Sequence, residues 1–328
     1  MKFLALLFSF FTLSNSLSCL GETGEFVDTW TILKAPATAD SFLFSTESNS
    51  LYPPSYSLND TSQGGLSNTL KQLWGSDVSY ILYNDEPPFS SSYNFSFGHT
   101  KGILALDNQN TGFWIQHSIP QFPMGPAEAN EYMGLLHNAY TYGQNAFCIS
   151  ISAQTADLLA YAFHLNFPNI YESYLTDEVK SMYSNITSLT QGQYSQSPIC
   201  GYHPITSVKG TKHIVFSKTT QWNNDLWSAC VAPHLQANLS VESWLRGSEI
   251  GPSCNTYDVT DVKYVSFSNF QSWSEYDDHS KWATSQNGIW TCHGDINRMT
   301  TQYARGGGGI CYRGNTDLLN AISSQTSC

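Results

Sequence analysis

The sequence predicts a mixed α/β fold, of the α/β or α+β type, built from two related halves. Segments with strand-like and helical patterns alternate along the 328-residue chain, which favours mixed sheets flanked by helices. A His-X-Lys pattern at His99–Lys101 occurs again about 180 residues later, at His279–Lys281. This repetition indicates an internal duplication in which each half carries one copy.

The strand predictions rest on short apolar or alternating runs bounded by turn residues. In chain order they cover Phe26–Lys34, Val78–Tyr83, Lys101–Leu106, Phe113–Ile119, Asn145–Ser152, His213–Ser217, Asn238–Leu245 and Val262–Phe267. Apolar residues recur at helical spacing in Ala153–Leu165 and predict a helix there. Leu318–Ser323 predicts a short helix, and Asp225–Cys230 has no clear pattern.

The N-terminus has the pattern of a secretory signal peptide, residues 1–16. Lys2 is followed by the apolar run Phe3–Leu13, which is too short to span a membrane, and Ser14 and Ser16 suit cleavage before Leu17. No later run approaches the ~18 apolar residues of a membrane helix. We therefore expect a mature protein of the secretory pathway, lysosomal or secreted, that does not interact with a membrane.

Eight cysteines in a secreted chain predict disulfides. None has the Cys-X-X-Cys spacing of a zinc ribbon or a redox dithiol, and eight cysteines allow 105 connectivities, so their spacing alone leaves the pairing open. Four Asn-X-Ser/Thr sequons fit a secreted glycoprotein: Asn59, Asn94, Asn185 and Asn238.

The net charge is −12 with histidine neutral. Such a charge argues against indiscriminate binding of nucleic acid at neutral pH. Protonation of all nine histidines would bring it to about −3, and acid would also neutralise some carboxylates. The electrostatic objection to a polyanionic substrate is therefore weaker in an acidic compartment.

The duplicated pattern carries the chemistry that a phosphodiester needs. Two lysines would hold the anionic oxygens, and two imidazoles would supply a nucleophile and a general acid. On a strand, residues i and i+2 face the same way, so each histidine and its lysine would point at one substrate atom. A single His-X-Lys is a weak motif, and the matched pair is what makes it informative.

The flanking residues match as well. In both copies a Gly-X-Trp is followed three residues after the tryptophan by histidine, at His117 and His293. His117 and Asn297 also follow the two His-X-Lys segments at similar distances and are candidates to complete a phosphate site. Asp278 precedes His279 and is a candidate to orient it or to favour its charged form; the alternative for Asp278 is a solvated loop charge.

Several segments together resemble the deoxyribonuclease II family of acid endonucleases. They are Leu82–Pro88, Gly98–Gly102, Gly112–Trp114 with His117 and Ser118, Pro120–Pro123, Thr141–Gln144, Asp278–Trp282, Trp290–Cys292, Gly294–Arg298 and Arg305–Gly308. The resemblance covers the mature chain from about Cys19 to Cys328. It implies a phospholipase D-like fold for a single catalytic unit, 17–328, with an N-terminal half of about 17–199 and a C-terminal half of about 200–328.

The resemblance also implies an activity, namely cleavage of double-stranded DNA at acid pH without a metal or other cofactor, leaving 3′-phosphate ends. One of His99 and His279 would attack phosphorus and form a phosphohistidine, and the other would protonate the leaving oxygen. Lys101 and Lys281 would neutralise the phosphate oxygens. The sequence leaves open which histidine attacks and whether the chain forms a homodimer. Arg298 and Arg305 are candidates to contact the DNA backbone.

The resemblance implies a disulfide pairing too. The family's usual bridges correspond to Cys19–Cys148, Cys254–Cys328 and Cys292–Cys311, which leaves Cys200 and Cys230 to pair with each other. Three other functions remain alternatives at this stage: a secreted, catalytically weak protein that binds DNA or another protein, a related enzyme acting on a different phosphodiester, and a zinc nuclease. The absence of an HxxxH pattern or a carboxylate cluster speaks against the last.

Overall fold

The structure is a computed structural model that describes residues 16–48, 50–90, 95–267, 271–314 and 316–328. The predicted signal peptide, apart from Ser16, and the sequon residue Asn94 lie outside the described residues. Within the described part of the chain, no helix is both long and apolar enough to cross a membrane.

Residues 29–174 contribute a sheet of seven described strands with the order β2-β1-β6-β5-β4-β3-β7. The strands are β1 (Thr29–Lys34), β2 (Ser41–Ser45), β3 (Ser79–Asn84), β4 (Lys101–Leu106), β5 (Thr111–His117), β6 (Gln144–Ser152) and β7 (Ile170–Tyr174). All neighbouring strands in this first sheet run antiparallel.

Residues 200–325 contribute a second sheet of nine described strands. They are β8 (Cys200–Thr206), β9 (Lys212–Lys218), β10 (Leu239–Glu242), β11 (Val259–Ser266), β12 (Ser272–Ser274), β13 (Trp282–Ser285), β14 (Trp290–Gly294), β15 (Gly307–Arg313) and β16 (Ile322–Gln325). Their order is β12-β11-β10-β13-β14-β15-β9-β8, with β16 also on β11. Only β10 and β11 pair in parallel among these strands.

The helices are few and mostly short. The described α-helices are α1 (Gly65–Lys71), α2 (Ala153–Asn166), α3 (Asp177–Met182), α4 (Ser184–Thr190), α5 (Ala232–Leu235) and α6 (Asp317–Ala321). Single 3₁₀ turns occur at Gln72–Trp74, His137–Tyr140, Thr220–Trp222, Glu275–Asp277 and Thr300–Gln302, and a π-helical turn at Trp227–Val231.

The structure contains both sheets and helices, as predicted, and of the two predicted classes it fits α+β. The expected alternation of strands and helices is wrong, because antiparallel strands need only short connections and no crossover helix. The mixed character expected of both sheets is found only in the second. Every predicted strand and both predicted helices are present with ends shifted by a few residues. Eight described strands were not predicted: β2, β7, β8, β12, β13, β14, β15 and β16.

The two sheets are packed against each other through α2 and a shared apolar core. Helix α2 begins after Ser152, whose side chain accepts a hydrogen bond from the Thr155 backbone N–H. It contacts β5 of the first sheet and both β8 and β9 of the second. One core cluster joins Trp114 and Phe147 of the first sheet to Ile310 of the second. Side chains from inner strands of both sheets therefore meet in this shared core.

Four disulfides link the described cysteines: Cys19–Cys148, Cys200–Cys230, Cys254–Cys328 and Cys292–Cys311. These are the pairs that the resemblance implies. Of the described sequon residues, Asn59 is exposed, whereas Asn185 and Asn238 are half-buried. The Asn185 amide donates a 2.7 Å hydrogen bond to Asp157.

Candidate active site

The two His-X-Lys segments meet because each is anchored to the opposite sheet. The His99 backbone N–H donates to the Gly306 carbonyl at 2.8 Å, and the His279 N–H donates to the Gly143 carbonyl at 2.8 Å. Gly143 must lack a side chain, because a Cβ there would lie 2.5 Å from Asp278 Oδ1. These reciprocal contacts place the two segments side by side.

The strand geometry expected of the two segments is not what brings the side chains together. β4 begins only at Lys101 and β13 only at Trp282, so each histidine precedes its strand. The backbone enters the strand at or just after the lysine, and the contacts across the sheets fix the histidine. The histidine and lysine of each segment do lie near one another, but the expectation that a shared strand would place them so was wrong.

A narrow cleft contains side chains from both sheets. Its lining residues are His99, Lys101, His117, Ser118, Lys281 and Asp295. His279 lies at its edge, with Nδ1 3.1 Å from the Ser118 carbonyl oxygen and 3.4 Å from Gln144 Oε1. The structure thus brings all four predicted catalytic side chains to one place, together with His117.

The hydrogen bonds define the tautomers of two of these imidazoles. His279 Nδ1 faces a carbonyl oxygen, so it carries the proton, and Nε2 of the neutral ring has a free lone pair. His117 has the opposite tautomer, because its Nδ1 accepts from the Ile119 N–H at 3.1 Å. Its Nε2–H has no hydrogen-bond partner among the described residues although it is buried. The Nε2–H of His117 is therefore available to donate a hydrogen bond to a ligand oxygen.

The two lysines differ in their partners. Lys101 forms an ion pair with Asp85 and lies 3.6 Å from Glu86. Burial opposes its charge, but these carboxylates outweigh burial and raise the pKa of Lys101. Lys281 Nζ instead donates to the His279 carbonyl at 2.5 Å, and no carboxylate of the described residues forms an ion pair with it. Burial and the charge of Lys101 lower the pKa of Lys281 to about 7.

The surroundings of His99 and His279 favour the neutral form of both rings. Burial is the main cause that places the pKa of His99 well below its usual value, and Lys101, Arg305 and Lys281 add to it. Burial likewise places the pKa of His279 well below the usual range, with Lys281 and Lys101 adding to it. An anion entering the cleft would counter both effects.

Sequence reasoning missed two carboxyl groups. Asp85 accepts from Arg305 Nη2 at 3.0 Å and lies 4.0 Å from His99 Nε2. Asp295 accepts from the Thr100 hydroxyl at 2.7 Å, and burial raises its pKa to about 7. Both lie inside segments that carry the family resemblance, so a search for acids in those segments would have found them.

Asp278 does not have the expected role. Its carboxylate accepts from Trp273 Nε1 at 2.7 Å and from the Ser280 backbone N–H at 2.8 Å. The Ser118 carbonyl, and not Asp278, is the acceptor for the His279 ring. Asp278 is buried rather than solvated, so it shapes the turn that contains His279.

The matched flanks are out of register in space. Gly102 pairs with Gln116, whereas its counterpart Trp282 pairs with His293, so His117 corresponds to Gly294. A shift of one residue on a strand reverses the face. His293 accordingly stacks on Phe147 and contacts the Thr31 hydroxyl at 3.2 Å, away from the cleft.

Asn297 and Arg298 follow Asp295 in the chain, and both side chains are buried. Asn297 is buried beyond the end of β14 and is not among the lining residues. Arg298 is fully buried and forms ion pairs with Asp261 and Asp225, so it stabilises the second sheet and is not available to a ligand. Arg305 is buried as well, but it reaches the cleft through Asp85.

Comparisons with known proteins identify the family of this chain. The sequence model of the family Deoxyribonuclease II matches residues 18–327. The chain is 32% identical to Deoxyribonuclease-2-alpha of Rattus norvegicus, covering 91% of this chain and 90% of the relative. It is similar at 32% identity to Deoxyribonuclease-2-alpha of Mus musculus, over 91% and 89% of the two chains. Deoxyribonuclease-2-beta of Homo sapiens is 31% identical over 90% and 86%. The chain belongs to the deoxyribonuclease II family.

Proposed function

We propose that this protein is an acid endonuclease that hydrolyses DNA to 3′-phosphate ends without a metal ion. Its family is one of DNA-hydrolysing enzymes. The observation that carries the finer proposal is the meeting of both His-X-Lys segments in one cleft. The same reciprocal arrangement supports a phospholipase D-like fold with halves of about 17–199 and 200–328. The disulfides suit a lysosomal or secreted destination.

We assign the nucleophile to His279. The Ser118 carbonyl holds the proton on Nδ1, so the Nε2 lone pair is free to attack phosphorus. The new P–N bond forms as the P–O5′ bond breaks, which leaves a phosphohistidine bearing the 3′-oxygen. This fixed tautomer has no counterpart at His99, whose Nδ1 lacks a hydrogen-bond partner among the described residues.

His99 is then the general acid. It donates its proton to the leaving 5′-oxygen and, once neutral, takes a proton from the water that hydrolyses the phosphohistidine. Asp85, 4.0 Å from His99 Nε2, favours the protonated ring when the substrate is bound. Lys101 and Lys281 face the non-bridging oxygens, and the Nε2–H of His117 completes the phosphate site.

The cleft explains why the enzyme would need acid. The pKa values of Lys281 and Asp295 are both about 7. As the pH rises through 7, Lys281 loses its positive charge and Asp295 becomes an anion. Both changes weaken phosphate binding, and the general acid is also harder to protonate. Each effect has the same sign, so activity falls towards alkaline pH.

The test uses one oligonucleotide in two forms, with a normal linkage or with sulfur replacing the 5′-oxygen of one linkage. His279→Ala and His99→Ala should each slow the normal linkage at least ~10²-fold. A thiolate leaves without a proton, so in a single turnover the sulfur substrate should restore strand cleavage by His99→Ala but not by His279→Ala. Hydrolysis of the phosphohistidine should remain slow in His99→Ala. If the sulfur substrate instead restores cleavage only by His279→Ala, then His99 is the nucleophile and His279 the general acid. Full cleavage of the normal linkage by either variant would refute the mechanism.

A further inference from the structure

The two half-sites differ at one pair of positions that their strand pairing makes equivalent. Tyr83 pairs with Gly102, one residue after Lys101, and Glu242 pairs with Trp282, one residue after Lys281. Tyr83 on β3 and Glu242 on β10 are therefore equivalent positions. Asp85 and Trp244 each lie two residues further along the chain, so they are equivalent as well. Where one half-site has a carboxylate beside its histidine and lysine, the other has an indole.

Trp244 is the centre of a small aromatic and cationic cluster beside His279. Its ring meets the His279 ring edge-to-face, with centroids 5.1 Å apart, and it meets Tyr142 in the same way at 4.5 Å. The Arg246 guanidinium lies 4.7 Å from the Trp244 centroid and 5.0 Å from that of Tyr142. Arg246 also donates to the Tyr142 hydroxyl at 3.2 Å.

This cluster faces solvent and is not part of the core. Trp244 and Tyr142 are half-buried, and the Arg246 side chain keeps 40% of its exposure. Trp244 belongs to none of the four apolar clusters formed by the described residues. The only anion paired with Arg246 in the described chain is Asp277, at a distant 3.9 Å. In a chain of net charge −12, an exposed cation stacked on aromatic rings at the edge of the cleft is unusual.

We propose that Tyr142, Trp244 and Arg246 form a nucleoside subsite beside the catalytic cleft. An unstacked DNA base packs on the Trp244 ring, since base–aromatic stacking accepts any base, and Arg246 holds the adjoining phosphate. The proposal rests on the nuclease function above.

The chemistry decides which nucleoside occupies the subsite. His279 attacks opposite the leaving 5′-oxygen, so the departing nucleoside lies on the side of His99. The nucleoside that stays attached through its 3′-oxygen is the one that lies nearer Trp244. The subsite therefore takes the base on the 5′ side of the broken linkage.

The experiment maps cleavage of single-stranded oligonucleotides at pH 5, each with one abasic position. For the wild-type enzyme, kcat/KM at the linkage immediately 3′ of the abasic position should fall by about 5- to 100-fold, the range that stacking of one base supplies. Trp244→Ala should lower kcat/KM on the intact strand by a similar factor. The variant should then cleave the intact and abasic strands at equal rates. Removing the base on the other side of the linkage should affect both enzymes equally.

Matched variants separate this role from a structural one. Trp244→Phe should restore most of the base dependence. Arg246→Gln should raise KM and reduce the salt dependence of KM. Arg313→Gln is the matched control and should change neither. Arg313 likewise lies over a tryptophan ring, 4.9 Å from the centroid of Trp290. Trp290 lies at the opposite end of β14 from the cleft.

Several results would overturn the subsite. If the losses from Trp244→Ala and from the abasic position multiply, the two groups do not interact. If Trp244→Ala shifts only the pH profile, the indole merely shields His279. If the wild-type enzyme cleaves neither the single strands nor duplex DNA, the nuclease proposal itself fails. Cleavage of duplex DNA but of no single strand, or equal cleavage of intact and abasic strands, would overturn the subsite alone.

Discussion

Replacing Lys281 by methionine should stabilise the protein at acid pH while abolishing cleavage. The side chain is buried, and its pKa is about 7 in the folded protein against a usual 10.5. The folded pKa is the lower one, so the unfolded chain binds more protons between pH 7 and 10.5, and stability rises with pH across that window. Below pH 7 the folded protein bears the full cost of the buried charge.

The magnitude follows from the same pKa values. The lowering of the Lys281 pKa from 10.5 to about 7 corresponds to about 5 kcal/mol at pH 6 and to ~1.4 kcal/mol at pH 9.5, because a tenfold change in an equilibrium constant is worth about 1.36 kcal/mol. The stability gained by Lys281→Met should therefore be larger at pH 6 than at pH 9.5 by at most ~3 kcal/mol, and by about 1–3 kcal/mol once relaxation of the buried site is allowed for. In a protein of this size that is roughly 1.5–4.5 °C in Tm.

Lys101→Met is the matched control, because its removal should do the opposite. Lys101 forms an ion pair with Asp85, and its loss leaves that buried carboxylate with Arg305 alone. We expect a destabilisation of about 2–4 kcal/mol, less than the loss of a lone buried partner. Thermal melts of both variants and the wild type at pH 6 and 9.5 measure the difference. The reasoning is refuted if Lys281→Met is no more stable than wild type at pH 6, or if its gain does not depend on pH.

Three further predictions concern the whole enzyme. Cleavage at constant ionic strength should be maximal at roughly pH 4.5 to 6, with a bell-shaped profile; an optimum at or above pH 7 would contradict the roles of Lys281 and Asp295. Plasmid nicking should survive EDTA, because the two lysines supply the positive charge, and restoration by Mg²⁺ or Zn²⁺ after chelation would show that a metal is needed. Replacing both Cys200 and Cys230 by alanine should cost ~3 kcal/mol of stability, and peptide mapping under non-reducing conditions should find neither cysteine alkylatable in the wild type.

The sequence predicted the central strands because most of their residues are apolar or small. β4 and β6 are buried along almost their whole length, so each reads as an apolar run. β8 and β7 are edge strands with mostly exposed or half-buried residues, and their composition resembles a loop. β15 begins with three glycines, which have a low strand propensity and are explained only by the close approach of other backbone segments, including that of His99.

The proposed catalytic residues follow from a repeated motif, but the groups that contact them could not be predicted from it. Asp85, Ser118 and Gln144 act through contacts with His99, Lys101 and His279 that are distant in sequence. A repeat also misleads where its copies differ in length. Lys101 precedes Trp114 by 13 residues and Lys281 precedes Trp290 by nine, a difference of four. The strand partners of Gly102 and Trp282 lie 14 and 11 residues further along the chain, a difference of only three, so the Gly-X-Trp flanks fall one residue out of register.

The difference between Asp85 and Trp244 bears on a conflict inherent in the duplication. A two-fold symmetric pair of half-sites would give both histidines the same protonation, yet the proposed mechanism needs one neutral nucleophile and one protonated acid. Asp85 places a carboxylate beside His99 and Lys101, whereas Trp244 places an uncharged ring beside His279. The substitution Asp85→Asn should therefore impair the donor more than the nucleophile. Its cleavage of the sulfur-substituted linkage should remain closer to wild type than its cleavage of the normal linkage, and equal losses on the two substrates would contradict this division of roles.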